Sequence, residues 1–266
     1  MLASSCFGDT NKPALVLLHG FLGDKHDWQD LMPLLSQHFY CVCLDLPGHG
    51  DSPDLKPVID SGAKTSGFML AAQQIAQTLA VLQINTFHLL GYSLGGRIAL
   101  HLSQLMPQKI LSVTLESCHP GLTDETLKRQ RQLNDQHWNQ QLSSLSIEAF
   151  LALWYQQGVF AELSQQKRSA LITRRRHNRT TGLQSIYLPT SLALQQDLHQ
   201  LPNQSPVPWH YFVGQQDGKF SALAERWQQQ ASIAIHYFAD AGHNVHLACS
   251  DAFCHTLINS LLKEDS

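Results

Sequence analysis

The chain has 266 residues, 43% hydrophobic and 15% charged, which excludes a disordered or fibrous protein and allows a buried core without covalent staples. Its net charge of −3 excludes nucleic acid as a general partner, because phosphate binding needs a basic field. There is no run of the ~18 apolar residues that a membrane span needs, and Met1 to Cys6 has neither the basic start nor the apolar core of an export signal; a soluble cytoplasmic protein is expected.

In chain order, residues 14–18 form a continuous apolar run that ends at His19-Gly20. Residues 40–44 form a second, ending at Asp45-Leu46-Pro47-Gly48. Apolar residues at helical spacing (Ile75, Leu79, Leu82) predict a helix over 68–82. The run 87–90 leads into Gly91, and a helix is expected over 94–105. The run 110–115 ends at Glu116. Segment 121–188 then breaks the rhythm: it is polar, rich in Gln and Arg, and reads as several helices without a buried strand. The runs 209–213 and 233–238 end at Gly214 and before Ala241-Gly242, and a helix over 248–262 closes the pattern. Apolar runs bounded by turn residues suit strands buried on both faces, and their alternation with helices implies a mostly parallel α/β sheet. The expected organisation is a core of residues 1–120 and 189–266, with 121–188 inserted as a helical cap over the C-terminal edge of the sheet, where α/β folds place ligands. The cysteines Cys6, Cys41, Cys43, Cys118, Cys249 and Cys254 are expected to be reduced core thiols, since their spacing is not a zinc pattern and the chain needs no disulfide framework.

Gly91-Tyr92-Ser93-Leu94-Gly95 matches G-x-S-x-G between an expected strand and an expected helix, the context a nucleophile elbow requires. The small residues let chains approach closely, so that the Ser93 hydroxyl stands above the sheet at a helix N-terminus. A serine needs a histidine as base, and the histidine needs an orienting carboxylate. In this fold the order is serine, acid, histidine. Asp217 follows the run 209–213 and His243 follows the run 233–238, which makes them the expected partners. His246 stands three residues after His243, but no third ligand at suitable spacing supports a metal. His119 is expected to be a pocket or packing residue. G-x-G-x-x-G is absent from the elbow, which excludes a dinucleotide site there, and no cofactor is expected. The loop His19-Gly20-Phe21 would lend one oxyanion-hole amide, that of Phe21, and Leu94 would lend the other.

Together these features resemble the α/β-hydrolase superfamily. Gly91-Tyr92-Ser93-Leu94-Gly95-Gly96-Arg97, Glu116-Ser117-Cys118-His119-Pro120-Gly121-Leu122, Trp154-Tyr155-Gln156-Gln157 and Thr190-Ser191-Leu192-Ala193 further resemble one subfamily, 2-succinyl-6-hydroxy-2,4-cyclohexadiene-1-carboxylate synthase of menaquinone biosynthesis. The resemblance implies a lyase that eliminates pyruvate from 2-succinyl-5-enolpyruvyl-6-hydroxy-3-cyclohexene-1-carboxylate, with Ser93 as a base activated by His243 and Asp217. It implies a small tricarboxylate substrate, and a monomer is favoured. Of 18 Lys and Arg, nine fall between Lys128 and Arg179, and the resemblance gives them a use, because guanidinium forks match carboxylates. By position, Arg97, Arg131 (seven residues before Trp138) and Arg175 match the substrate-binding arginines of the family. Within the run Arg174–Arg176, a one-residue slip would select a neighbour. Arg129, Arg168 and Arg179 are expected on solvated faces. Tyr92, Trp154 and Tyr155 are pocket aromatics in the family and otherwise simple packing. Two other readings use the same fold. One is a carboxylesterase or thioesterase in which Ser93 is acylated. The other is a non-catalytic binding protein, which would be expected to lack a triad member.

Overall fold

The computed structural model describes residues 1–56 and 65–262. Seven strands form one sheet: β1 (Ser4–Phe7), β2 (Ala14–Leu18), β3 (Tyr40–Leu44), β4 (Phe87–Tyr92), β5 (Ile110–Glu116), β6 (Trp209–Gly214) and β7 (Ala234–Phe238). Their order is β1-β3-β2-β4-β5-β6-β7. Every neighbouring pair is parallel except β1 and β3, where Ser4 faces Leu44 and Phe7 faces Cys41. Strand β2 explains why the apolar runs are continuous. Leu15 and Leu17 point into one cluster with Trp28, Phe253 and Leu257, while Val16 and Leu18 point into another with Ile98, Leu115 and Trp227. With period-two alternation, a strand covered on both faces must be apolar at every position.

The two ends of the sheet depart from that expectation. Strand β7 is largely accessible, and β1 has no fully buried residue. An edge strand is covered on fewer sides and so needs fewer apolar residues. Strand β1, Ser4-Ser5-Cys6-Phe7, therefore carried no apolar signal in the sequence. The cysteine expectation divides the same way: all six are free, and Cys41, Cys43, Cys118 and Cys254 are buried, but Cys6 on β1 is exposed and Cys249 half-buried.

Helices α1 (Gly67–Val81) and α2 (Leu94–Leu105) lie against the sheet. The insertion contains α3 (Glu125–Ser144), α4 (Ile147–Trp154), α5 (Gln165–Arg175) and α6 (Thr180–Tyr187), with no strand among its residues. Asp124, Ser146 and Ser164 cap the first three of these, each accepting the backbone N–H three residues on. The insertion has its own apolar centre of Leu142, Phe150, Leu151, Tyr155 and Leu183, which Leu22 joins from the loop after β2. Helices α7 (Gly218–Gln228) and α8 (Ser250–Leu262) complete the core. The helix expected over 248–262 begins at Ser250, because Cys249 (φ −136°) separates it from a short helical turn, Val245–Ala248. Among the described residues, no helix is long and apolar enough to cross a membrane.

Candidate active site

Parallel topology puts the C-terminal ends of β2, β4, β5, β6 and β7 on one rim, and the expected catalytic residues follow those ends. Ser93 comes directly after β4 with φ +50° and ψ −107°, a conformation a side-chain-bearing residue rarely adopts. Its N–H donates to the Glu116 carbonyl oxygen at 2.9 Å. The turn depends on absent side chains: a Cβ at Gly91 would press on the Gly95 carbonyl, and one at Gly95 would collide with the Leu18 carbonyl oxygen. Asp217 caps α7 through Oδ1, which accepts the Phe220 N–H at 3.1 Å, and its Oδ2 lies 2.7 Å from His243 Nδ1. Both are buried. One carboxylate thus closes a helix end and fixes the imidazole, leaving Nε2 as the working nitrogen. The His243 ring packs against Tyr92, Phe220 and Phe160 at centroid distances of 5.5, 4.8 and 5.8 Å.

The loop after β2 carries the expected oxyanion amide. Among the described residues, neither the Phe21 nor the Leu94 N–H has a protein acceptor. Two buried histidines that sequence reasoning passed over hold this loop. His19 Nε2 accepts the Leu46 N–H at 2.9 Å, and His49 Nε2 accepts the Leu22 N–H at 3.2 Å. Burial lowers the pKa of both, which suits rings that must stay neutral to accept.

Above the rim lies a cavity of about 280 Å3 bordered by Gly20, Phe21, Tyr92, Trp154, Tyr155 and Arg175. A model of the alpha/beta hydrolase fold matches residues 13–248. The 2-succinyl-6-hydroxy-2,4-cyclohexadiene-1-carboxylate synthase of Enterobacter sp. (strain 638) is 38% identical over 239 residues, or 90% of this chain and 88% of that protein. The synthase of the same name from Salmonella typhimurium is 37% identical over 241 residues, 90% of each. This chain belongs to the 2-succinyl-6-hydroxy-2,4-cyclohexadiene-1-carboxylate synthase family of α/β hydrolases.

The fold of this synthase-family member overlays that of MenH from S. aureus with a TM-score of 0.85 at 24% identity, over 99% of each chain. It overlays the enol-lactonase from Burkholderia xenovorans LB400 at 0.77 and 19% identity, over 98% of this chain and 96% of that one. At these identities the likeness bears on the fold alone.

The three expected arginines are held in different ways. Arg175 is buried with both terminal nitrogens on Asp27, at 2.5 and 2.6 Å, and its Nε has no protein partner among the described residues. Burial opposes both charges, but their mutual attraction outweighs it: the Asp27 carboxyl is held below its usual range and the Arg175 guanidinium above its own. Asp24, beside them, is held at about 2; burial opposes its ionisation, and the His26 N–H and Arg175 overcome that. Within the run, Arg175 is the buried member, Arg174 reaches the His26 carbonyl and also borders the cavity, and Arg176 is exposed. Arg131 is held only through Nε, 2.8 Å from each oxygen of buried Asp135, which also accepts from Tyr187 Oη and Ser191 Oγ. Arg97 donates to the Thr190 carbonyl at 2.8 Å and lies over the Phe68 ring at 5.3 Å. Burial and the nearby Arg131 charge draw its pKa down to about 10, so it stays cationic at neutral pH. Arg97 and Arg131 lie outside the lining of the 280 Å3 cavity.

Other expectations change in detail. Arg179 is more than a solvated side chain: it donates to the Ser52 carbonyl and pairs with Asp54, tying the insertion to the core. Arg168 has a buried Nε, whereas Arg129 is exposed. His119 is a packing residue that accepts the Gly121 N–H, and burial lowers its pKa to about 3. Sequence reasoning missed Glu162, whose Oε1 accepts the His243 N–H at 3.3 Å from the cavity wall. It also missed Asp27, which no local pattern links to Arg175, and Asp135, although its i,i+4 spacing from Arg131 on one helix is a local signal that could have found it.

Proposed function

We propose that this chain is the lyase that eliminates pyruvate from 2-succinyl-5-enolpyruvyl-6-hydroxy-3-cyclohexene-1-carboxylate, giving 2-succinyl-6-hydroxy-2,4-cyclohexadiene-1-carboxylate for menaquinone biosynthesis. The observation that carries the reading is the buried Asp217–His243 pair with Tyr92, the residue before the strained Ser93, packed on His243, in a chain 38% identical to a synthase of that name. Ser93, its own proton passing to His243, removes the ring proton beside the succinyl ketone. The electron pair of that C–H bond moves onto the carbonyl oxygen, where the amides of Phe21 and Leu94 stabilise the charge. As the carbonyl re-forms, that pair makes a double bond between ring carbons 2 and 3, the existing double bond shifts from carbons 3 and 4 to carbons 4 and 5, and the carbon 5–oxygen bond to the enolpyruvyl group breaks. The departing enolate is protonated at carbon and leaves as pyruvate. Asp217 stabilises the imidazolium formed in between, and no acyl-enzyme is needed.

Residues 121–188 serve as the cap, and Arg97, Arg131 and Arg175 answer the three substrate carboxylates. Arg131 keeps both terminal nitrogens for a ligand. Arg175 shares its charge with Asp27 and keeps Nε. Tyr92, Trp154 and Tyr155 shape the pocket; burial raises the phenol pKa of Tyr92, which keeps it a neutral donor beside His243. The enzyme is read as a cytoplasmic monomer, which cell fractionation and size-exclusion chromatography test. The decisive assay mixes purified protein with freshly generated enolpyruvyl substrate and follows both pyruvate and the ring product. Turnover above spontaneous decomposition, lost in Ser93→Ala, supports the lyase. Background turnover from a folded protein that hydrolyses simple acyl esters replaces it with the esterase reading.

A further inference from the structure

One buried residue bonds both the Ser93 turn and the segment just after His243 without belonging to the candidate triad. Glu116 is the last residue of β5 and has no solvent exposure. Its backbone carbonyl accepts the Ser93 N–H. Its side-chain Oε1 accepts the Val245 N–H at 2.6 Å and the His246 N–H at 3.1 Å, and its Oε2 lies 2.7 Å from His246 Nδ1. Val245 is two residues beyond His243. The His246 ring is wedged between Trp28 at 4.3 Å and Tyr92 at 5.0 Å, and Tyr92 in turn packs on His243. Asp217 fixes the imidazole of His243, but a ring held at Nδ1 can still swing with its backbone. Glu116 removes that freedom, because it anchors the backbone just after His243 to the same residue that anchors the turn of Ser93.

We infer that Glu116 is a positioning residue: through its backbone it holds the Ser93 turn and through its side chain the His243 loop, and so sets the separation of the two groups. His246 completes the anchor by filling the remaining carboxylate oxygen. A carboxylate buried beside two backbone amides and an imidazole costs desolvation that an apolar residue would avoid, which is consistent with a geometric task. The inference rests on the triad reading, not on the identity of the substrate.

The test separates reach from charge. Glu116→Gln keeps an oxygen for both amides, and its NH2 meets His246 in the other tautomer. Glu116→Asp keeps the charge but is one methylene too short to span the same partners. Glu116→Ala removes everything. A displacement of about 1 Å costs on the order of 100-fold in rate, so kcat should fall by about that factor in Glu116→Ala and by about 10-fold in Glu116→Asp. Glu116→Gln should recover most of the loss, with KM unchanged throughout. Thermal melting identifies folded variants, and if Glu116→Ala does not fold, the order of the other two decides. A second readout is the rate at which a fluorophosphonate labels Ser93; there the serine oxygen displaces fluoride and its proton passes to His243, so the natural substrate plays no part. The same order in labelling, with no pyruvate released by the wild type, would retain the positioning role and sink only the lyase reading. Glu116→Asp at the wild-type rate, or a folded Glu116→Gln as slow as Glu116→Ala, would overturn the inference. So would a wild-type Ser93 inert to both substrate and probe.

Discussion

The candidate triad and the arginines are placed by different means. Ser93, Asp217 and His243 sit just beyond the ends of β4, β6 and β7, so their positions follow from strand order and from short turns. Arg131 and Arg175 sit on helices of the insertion, and each is held by a buried carboxylate, one local and one remote in sequence. Asp135 lies on the same helix as Arg131, four residues on, whereas Asp27 is 148 residues from Arg175. The first kind of placement survives most changes outside the turn. The second fails when one acid is lost, and the two arginines should fail differently, because Asp27 occupies both terminal nitrogens of Arg175 and Asp135 occupies only Nε of Arg131.

The largest expected effect lies on the strand-end side. Ser93→Ala or His243→Ala should lower pyruvate release by about 10³-fold or more, and the double variant should be little worse than either, because the residues act as a unit. Strictly additive losses would break the pairing. Next comes the buried pair of the insertion. Asp27→Ala strands a buried guanidinium and should cost about 3–5 kcal/mol of stability by denaturant titration. Arg131 sharpens the contrast. Arg131→Lys should raise KM about 10-fold, as a charged hydrogen bond to the substrate is lost, with little change in melting temperature; Arg175→Lys should lower the melting temperature first. If both variants changed only KM, the distinction between the two arginines would disappear. The smallest effect is on pH. Burial lowers the pKa of His19, His49, His101 (to about 4) and His119 (to about 3). Below about 6.5 the unfolded chain therefore binds more protons than the folded one, and stability should decline as pH falls from about 6.5 toward 4. Urea midpoints across that range measure it; a flat profile would mean these rings protonate in place. His19→Asn and His49→Asn should reduce the slope.

Much of the candidate site's local geometry is legible in the sequence because its signals are local. Gly91, Ser93 and Gly95 encode their own turn, and the residues after the apolar runs reveal where strands stop. Asp217 and His243 followed from chain order alone. Which member of the run Arg174–Arg176 is buried is a matter of helical phase, and it is Arg175. Strand β1 was silent because an edge needs no apolar face. Glu116, His246 and Asp27 carried no sign of their partners, since their pairing depends on which segments meet, whereas Asp135 stands at i,i+4 spacing from Arg131.

By itself, then, the sequence determined the sheet's buried strands, the elbow turn and the helical character of residues 121–188, since each depends on neighbours within a few positions. Tertiary structure alone decided which arginines are free and which are already paired, how Glu116 joins the serine turn to the histidine loop, and which histidines stay neutral. Those depend on burial and on approach between residues as many as 148 positions apart, as Asp27 and Arg175 are, which no local pattern records.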